Sequence, residues 1–229
     1  MMFQIPPEVY NIFPEHYQGI NLVLWILFTV ELFIFGVLFL LKIRGIDNTV
    51  QRKIEWGHAE FMLFYGLCRV FFILMIHINN AQDYDFYCTI AYFWGTLGFT
   101  SLVYSLEKYA LQRKPILSLF GYAGTMFAVV GMIFTQVREL VLITVMLVSV
   151  VMMCVILFIY IFLIRNTSGV LRIRTVVAIV SMVLLGTAIT ADGQFVLANP
   201  AVPLFVKNLV VPVIAIVSAL LFYLSRRAI

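Results

Sequence analysis

The stretch LFYGLCRVFFILMIHINN, residues 63–80, sets Arg69 in the middle of an apolar run, with His77, Asn79 and Asn80 at its far end. A guanidinium in such a place can bind an anion, hold a carboxylate or gate a passage. It needs a partner, because an isolated charge in hydrocarbon is costly. Glu31, in FTVELFIF, is the carboxylate at matching depth, about eleven residues below the outer end of its own apolar segment against about ten for Arg69. Consecutive helices joined by a short loop usually neighbour each other, so Glu31 and Arg69 are expected to pair. The plainer role for such a pair is to set helix register.

The surrounding residues extend this set. At about 100° per residue, His58, Met62, Tyr65, Arg69 and Phe72 fall on one helical stripe, with Glu60 on the opposite face. In the next apolar segment Thr89, Tyr92, Thr96, Thr100 and Glu107 recur at steps of 3, 4, 4 and 7 and share one side of a helix. Gly95, Gly98, Ser101 and Ser105 lie beside them, and small side chains there permit close helix packing. A stripe of this kind either lines a wet cavity or hydrogen-bonds across helices. A further polar group gathers at the outer segment ends: His77, Asn79 and Asn80; Gln136 and Arg138; Asp192 and Gln194; Lys207 and Asn208. These residues are placed to ring an outward-facing pocket floored by Glu31 and Arg69. Lys207 alone is expected to snorkel to the interface, with Asp192 as its natural partner. The candidate ligand-binding or gating set is therefore Glu31, Arg69, Tyr65, Tyr92, Thr96, Thr100, His77, Asp192 and Lys207.

These residues must be carried by membrane helices. The 229-residue chain is 63% hydrophobic and 11% charged, with a mean hydropathy of +1.05, more apolar surface than a water-soluble domain of this size can bury. Seven apolar stretches have the length needed to cross about 30 Å of hydrocarbon. They are expected at roughly 20–42, 56–79, 87–107, 116–136, 140–164, 174–194 and 203–224. The expected fold is all-α, a single seven-transmembrane helix bundle over residues 1–229. Twelve of the 15 basic residues fall on one side of these spans. By the positive-inside rule this puts the N-terminus outside and the C-terminus in the cytoplasm. The first 19 residues have no basic n-region, so no cleavable targeting signal is expected and the first span is an anchor in its own right.

Smaller features agree. Pro115 follows Arg113 and Lys114 and suits the first turn of the fourth helix. Trp25, Trp56, Tyr84, Tyr87, Tyr109, Tyr160 and Tyr223 lie towards span ends, as interfacial aromatic residues do. Cys68, Cys88 and Cys154 have neither paired nor metal-site spacing and are expected to act as small apolar residues.

Several chemistries are disfavoured. There is no H-E-x-x-H, no G-x-S-x-G, no Gly-rich phosphate loop and no Cys/His cluster. His58 and His77 share one helix, which does not suit a di-haem site. Lys207 lies near the outer end of the seventh span, and the third has no acid between Thr89 and Leu106, unlike the retinal proteins. Glu107-Lys108-Tyr109 stands where G-protein-coupled receptors carry an acidic-Arg-aromatic motif, but the last span lacks an Asn-Pro-x-x-Tyr pattern. No cofactor, metal or enzyme activity is expected.

The join of the fifth and sixth spans, FLIRNTSGVLRIRTVVAIVSMVLLGTAI, has a small-residue turn at Ser168-Gly169, then Arg172 and a long apolar helix. It resembles the seven-helix N-terminal sensor modules of prokaryotic histidine kinases and their stand-alone relatives. Size, topology and short loops extend the resemblance over the whole chain. It implies an outward or intramembrane ligand site and a signal leaving through cytoplasmic helix ends. With no kinase domain attached, any output is expected to require a separate partner or a different role altogether. The competing class is a small-solute transporter or channel. Seven helices with the N-terminus outside resemble the sugar facilitators, and LFLLKIRG and YIFLIRNTSG fall at corresponding positions of such a repeat. Those facilitators' Pro-Gln pair is missing here, and the first three spans contain no proline. A third class is an accessory membrane subunit. In the favoured reading, a sensory or ligand-binding module, Arg69 binds or gates, Glu31 holds it and the third helix lines the access route. Expected partners are membrane lipid and a cytoplasmic or membrane protein. The basic loops will attract anionic headgroups, so the pI near 9.0 requires no nucleic acid. The location is multi-pass integral, in the plasma membrane if the source is prokaryotic.

The Glu31–Arg69 pairing has a direct check in Glu31→Gln and Arg69→Gln, singly and together, followed by thermal unfolding in detergent. A coupling of about 0.5–3 kcal/mol is expected, whereas additive losses would show that the charges do not interact.

Overall fold

Seven helices account for most of the chain in the computed structural model, which describes residues 15–75, 81–192 and 202–227. They are α1 (Glu15–Ile43), α2 (Thr49–Met75), α3 (Ala81–Ser105), α4 (Ile116–Ile133), α5 (Arg138–Asn166), α6 (Gly169–Ala191) and α7 (Val211–Arg227). A π-turn, Leu106–Ala110, continues α3, and another, Val206–Val210, leads into α7. No strand occurs among the described residues. All seven helical segments are long and apolar enough to cross a membrane.

The helix ends depart from the sequence reading where polar residues make the boundary. α2 begins seven residues before the expected position 56 because Asn48 accepts the backbone N–H groups of Val50 (2.9 Å) and Gln51 (3.1 Å). This side-chain cap lets the polar turn TVQRKIE continue the apolar helix. α4 stops at Ile133, where Phe134 is extended, rather than at 136. Pro115 stands at the N-cap of α4, one place before its first turn. Gly169, in the turn that carries the sensor-module resemblance, takes φ +59°, a conformation free of Cβ strain only for glycine.

The chain divides into two compact units, with boundaries between Glu31 and Leu32, inside α1, and between Ser168 and Gly169. The unit of residues 32–168 is organised around α3, which packs against α2, α4 and α5, while α4 also packs on α5. Phe61, Tyr65 and Phe99 form an aromatic cluster between α2 and α3, with centroids 5.4–5.9 Å apart. Ala128, Val141 and Val145 form a smaller core under Tyr92 and Phe93. The small residues of α3 bring its neighbours close, as their spacing suggests. The Gly98 Cα faces the Phe61 carbonyl, so that a Cβ there would lie 3.2 Å from it, and Ser105 packs directly on Gly57 of α2. In the other unit, α6 packs against α7 and the π-turn adjoins α7. There the Ser181 hydroxyl donates to the Ser218 carbonyl at 2.7 Å, a buried polar link between the two helices.

Gly57→Ala will lower thermal stability by about 1–3 kcal/mol, because the added methyl enters the volume held by Ser105. Ser105→Gly in the same chain should recover most of that loss in detergent unfolding midpoints.

Candidate functional site

A polar arrangement that spans three helices of the 32–168 unit starts at the end of α1. Lys42 Nζ donates to Glu55 Oε1 on α2 at 3.0 Å. The second oxygen of Glu55 lies 3.8 Å from Nδ1 of His58, one turn further along α2. His58 Nδ1 is 2.8 Å from the Ile54 carbonyl and its Nε2 is 3.2 Å from the Tyr160 hydroxyl on α5. A carbonyl only accepts, so Nδ1 carries the proton of a neutral imidazole and Nε2 accepts from Tyr160. Phe39 of α1 stacks on the imidazole with centroids 5.8 Å apart. Glu55 is 2% exposed, and His58 and Tyr160 are 0% exposed, so bulk water does not screen the chain. Three helices are thus tied at one end by a charged pair, a histidine and a phenol.

Glu107 forms a second junction at the same loop end of α3 and α4. Within the π-turn its Oε1 accepts the N–H groups of Ile116 (2.9 Å) and Leu117 (3.0 Å), and its Oε2 accepts that of Ser118 (3.2 Å). The first N–H groups of a helix have no partner within the helix, and the helix dipole favours an anion there. One carboxylate therefore caps the start of α4 where Pro115 supplies no side-chain hydrogen bond.

The candidates from the sequence separate into distinct places. Arg69 is 5% exposed, and its guanidinium carbon stands 5.4 Å from the centroid of the Phe72 ring. Tyr92 meets the same ring edge-on at 5.3 Å, so Arg69 and Tyr92 share one aromatic neighbour. Tyr65 belongs to the aromatic cluster with Phe61 and Phe99. Thr96 and Thr100 are 0% exposed. The Thr100 hydroxyl donates to the Thr96 carbonyl at 2.7 Å, and Thr96 donates to Ser149 of α5 at 2.6 Å, leaving Ser149 to donate to Val145 at 3.0 Å. The threonine stripe therefore closes on its neighbours, and its hydroxyls are used in packing.

Glu31, Asp192 and Lys207 belong to the other unit. Glu31 is half-buried, and its Oε2 is enclosed without a hydrogen bond. Because Glu31 and Arg69 lie in different units, their pairing stays an expectation from the sequence. Lys207 departs from its expected snorkelling position: it is 4% exposed, within the π-turn before α7. Asn21 Nδ2 donates to the carbonyls of Lys207 and Asn208, each at 3.4 Å, and so supplies acceptors at an irregular turn with a donor. Asp192 is half-buried after the last turn of α6, its N–H bonded to the Ala188 carbonyl at 2.9 Å. His77 lies outside the described residues, as do Asn79, Asn80 and Gln194.

Sequence reasoning missed Glu55, Asn21 and the role of Tyr160. Tyr160 reads as an interfacial anchor from its place near a span end, and Trp25, read the same way, is likewise buried at 4% exposure. Trp56, by contrast, is 48% exposed and donates to Glu60 at 2.6 Å. One signal for Glu55 was present: three residues before His58 puts the carboxylate on the same helix face. Nothing in one sequence joins His58 to Tyr160, 102 residues away. Among the described residues no group of three or more His, Cys, Asp or Glu is placed to hold a metal, and Cys68 and Cys88 are buried.

By length and composition its seven helices are long and apolar enough to cross a membrane, as those of a multi-pass membrane protein are. Compared with protein-family models, curated proteins and solved structures, it matches none.

Single cysteines at positions 92, 96, 100 and 103 in a cysteine-free background give a test of the closed α3 face. A membrane-impermeant thiol reagent should leave 96, 100 and 103, all 0% exposed, unlabelled from both sides. Labelling at 96 or 100 would show that water reaches the depth of the stripe.

Proposed function

We propose that the chain is a membrane sensory or ligand-binding module that signals to a partner protein, with its N-terminus outside and its C-terminus in the cytoplasm. The observation that carries this reading is the Lys42–Glu55–His58–Tyr160 chain. It joins α1, α2 and α5 at the end bordered by the basic loops, the cytoplasmic end by the positive-inside rule. A signal has to leave a membrane module through these helix ends.

The chemistry of the chain supplies two arrangements. A neutral His58 accepts from Tyr160 through Nε2, whereas a doubly protonated imidazole donates from both nitrogens, so the Tyr160 hydroxyl must present a lone pair instead of its hydrogen. Glu55 Oε2, 3.8 Å from Nδ1, is the anion placed to compensate the added charge. An element with two discrete hydrogen-bonded arrangements is what a switch requires. The satisfied hydroxyls of Thr96 and Thr100 also count against a solute route along α3. Arg69, laid over Phe72 and near Tyr92, is the group assigned to bind or gate on the other side of the aromatic cluster.

Two measurements on the full chain in liposomes test this reading. Efflux of trapped sugars, amino acids and inorganic ions should match that of protein-free liposomes, and protein-dependent efflux would replace the sensory reading with transport. Tyr160→Phe, which removes the hydroxyl but keeps the ring, should raise amide exchange over residues 49–58 and 155–166 together. Exchange confined to α5 would show that the chain does not couple the helix ends.

A further inference from the structure

A groove of about 350 Å³ runs along the surface of α4 and α5 at their basic-loop end, lined by Leu111, Leu117, Val155, Phe158, Ile159 and Phe162, with Arg113 at its rim. The side chains other than Arg113 are apolar, and Phe158 is 71% exposed within a helix of membrane-spanning length. Phe162 is seven positions beyond Val155, so the groove reaches roughly 10 Å along α5. That is most of the hydrocarbon depth of one leaflet, about 15 Å.

Backbone geometry brings a cation back over this groove. Gln112 takes φ +53°, a left-handed conformation that L side chains rarely adopt. The reversal lets the Arg113 N–H bond the Glu107 carbonyl at 3.0 Å. It also lays the Arg113 guanidinium over the Phe162 ring, its carbon 5.8 Å from the centroid. One turn beyond Phe162, on the same face of α5, stands Arg165, which is exposed, as are Arg113 and the adjacent Lys114. Neither Arg113 nor Arg165 forms a salt bridge with the described residues. The nearby Glu107 carboxylate is engaged by the start of α4.

An apolar trough with one guanidinium at its rim, and a second on the same face of α5 one turn beyond Phe162, has the shape and charge of one amphiphile. We propose that this groove is a specific site for an anionic diacyl phospholipid, with one acyl chain along Leu117, Phe158 and Phe162 and the phosphate held by Arg113 and Arg165. Arginine matches a phosphate geometrically, through paired N–H donors, where lysine offers only a point charge. A zwitterionic lipid can fill the trough but keeps its phosphate partly neutralised by its own ammonium. The site therefore discriminates by headgroup charge. It rests on the groove and its cations, independently of the sensory reading.

The test uses the full chain purified in detergent with either phosphatidylglycerol or phosphatidylcholine and examined by native mass spectrometry. One phosphatidylglycerol should stay bound at collision energies that strip phosphatidylcholine. Arg113→Gln and Arg165→Gln should each lower that retention about fivefold, while Arg52→Gln with Lys53→Gln, basic residues in the first turns of α2, should leave it unchanged. Unfolding midpoints equal to the parent's confirm that the variants fold. A photo-crosslinking amino acid at position 117 reports the occupant. Attachment to lipid supports the site, and attachment to a second copy of the chain overturns it. Equal retention of the two lipids, or equal losses in the Arg52–Lys53 variant and the groove variants, would likewise overturn it.

Discussion

A polar group inside hydrocarbon has no water to turn to, and this constraint governs every internal feature of the 32–168 unit. α3 carries Thr89, Thr96, Thr100, Ser101, Ser105 and Glu107 into helix interfaces, and their bonds are made within the chain. Thr89 donates back to Asp85 at 2.7 Å and Ser105 to Ser101 at 2.9 Å, each to the carbonyl one turn earlier. Thr96 reaches across to Ser149, and Glu107 satisfies three donors of α4. A central helix can be this polar only because its partners approach closely, which the glycines allow. Gly121 of α4 sits directly on Thr100, and Gly57 of α2 on Ser105. Packing and polar satisfaction are therefore one requirement here.

The same constraint explains where charge is concentrated. Glu55 and Lys42 lie near the loop ends of their helices, where the lysine side chain is 20% exposed and the carboxylate 3%. The pair draws His58 and Tyr160 into a connected set whose members respond to one another, since in a poorly screened setting a change of protonation at one is felt at the next. A network with a histidine at its centre has more than one way to be satisfied. A threonine bonded to its own helix has one. The unit thus combines a polar seam along α3, whose hydroxyls bond within and between helices, with a histidine-centred junction at the loop end.

The π-turns belong to the same logic. Both follow or precede membrane-length helices, and both carry buried polar residues: Glu107 in one, Lys207 and Asn208 in the other. A π-turn shifts the helical register and leaves its carbonyls poorly matched to an α-helical ladder, so side-chain donors and acceptors become attractive neighbours. Asn21 serves the turn before α7 in this way, and the turn after α3 aims Glu107 at the start of α4.

Much of the architecture was legible in the residues. Seven spans follow from apolar length, because a helix must be about 20 residues long to cross the bilayer whatever its neighbours are. The close packing of α3 follows from the spacing of Gly95, Gly98, Ser101 and Ser105, since helical periodicity alone sets which residues share a face. Helix ends were less legible where a single side chain decides them, as Asn48 does for α2. The partners of polar residues were not legible at all beyond one helix. His58 was visible on its stripe, but its bond to Tyr160 depends on how α2 and α5 lie in space. Thr96 and Thr100 were visible as a stripe, but whether that stripe met water or Ser149 was a question about α5. Periodicity is a property of the chain and survives in the sequence, whereas the pairing of groups a hundred residues apart is a property of the packed helices, and only the tertiary structure decided it.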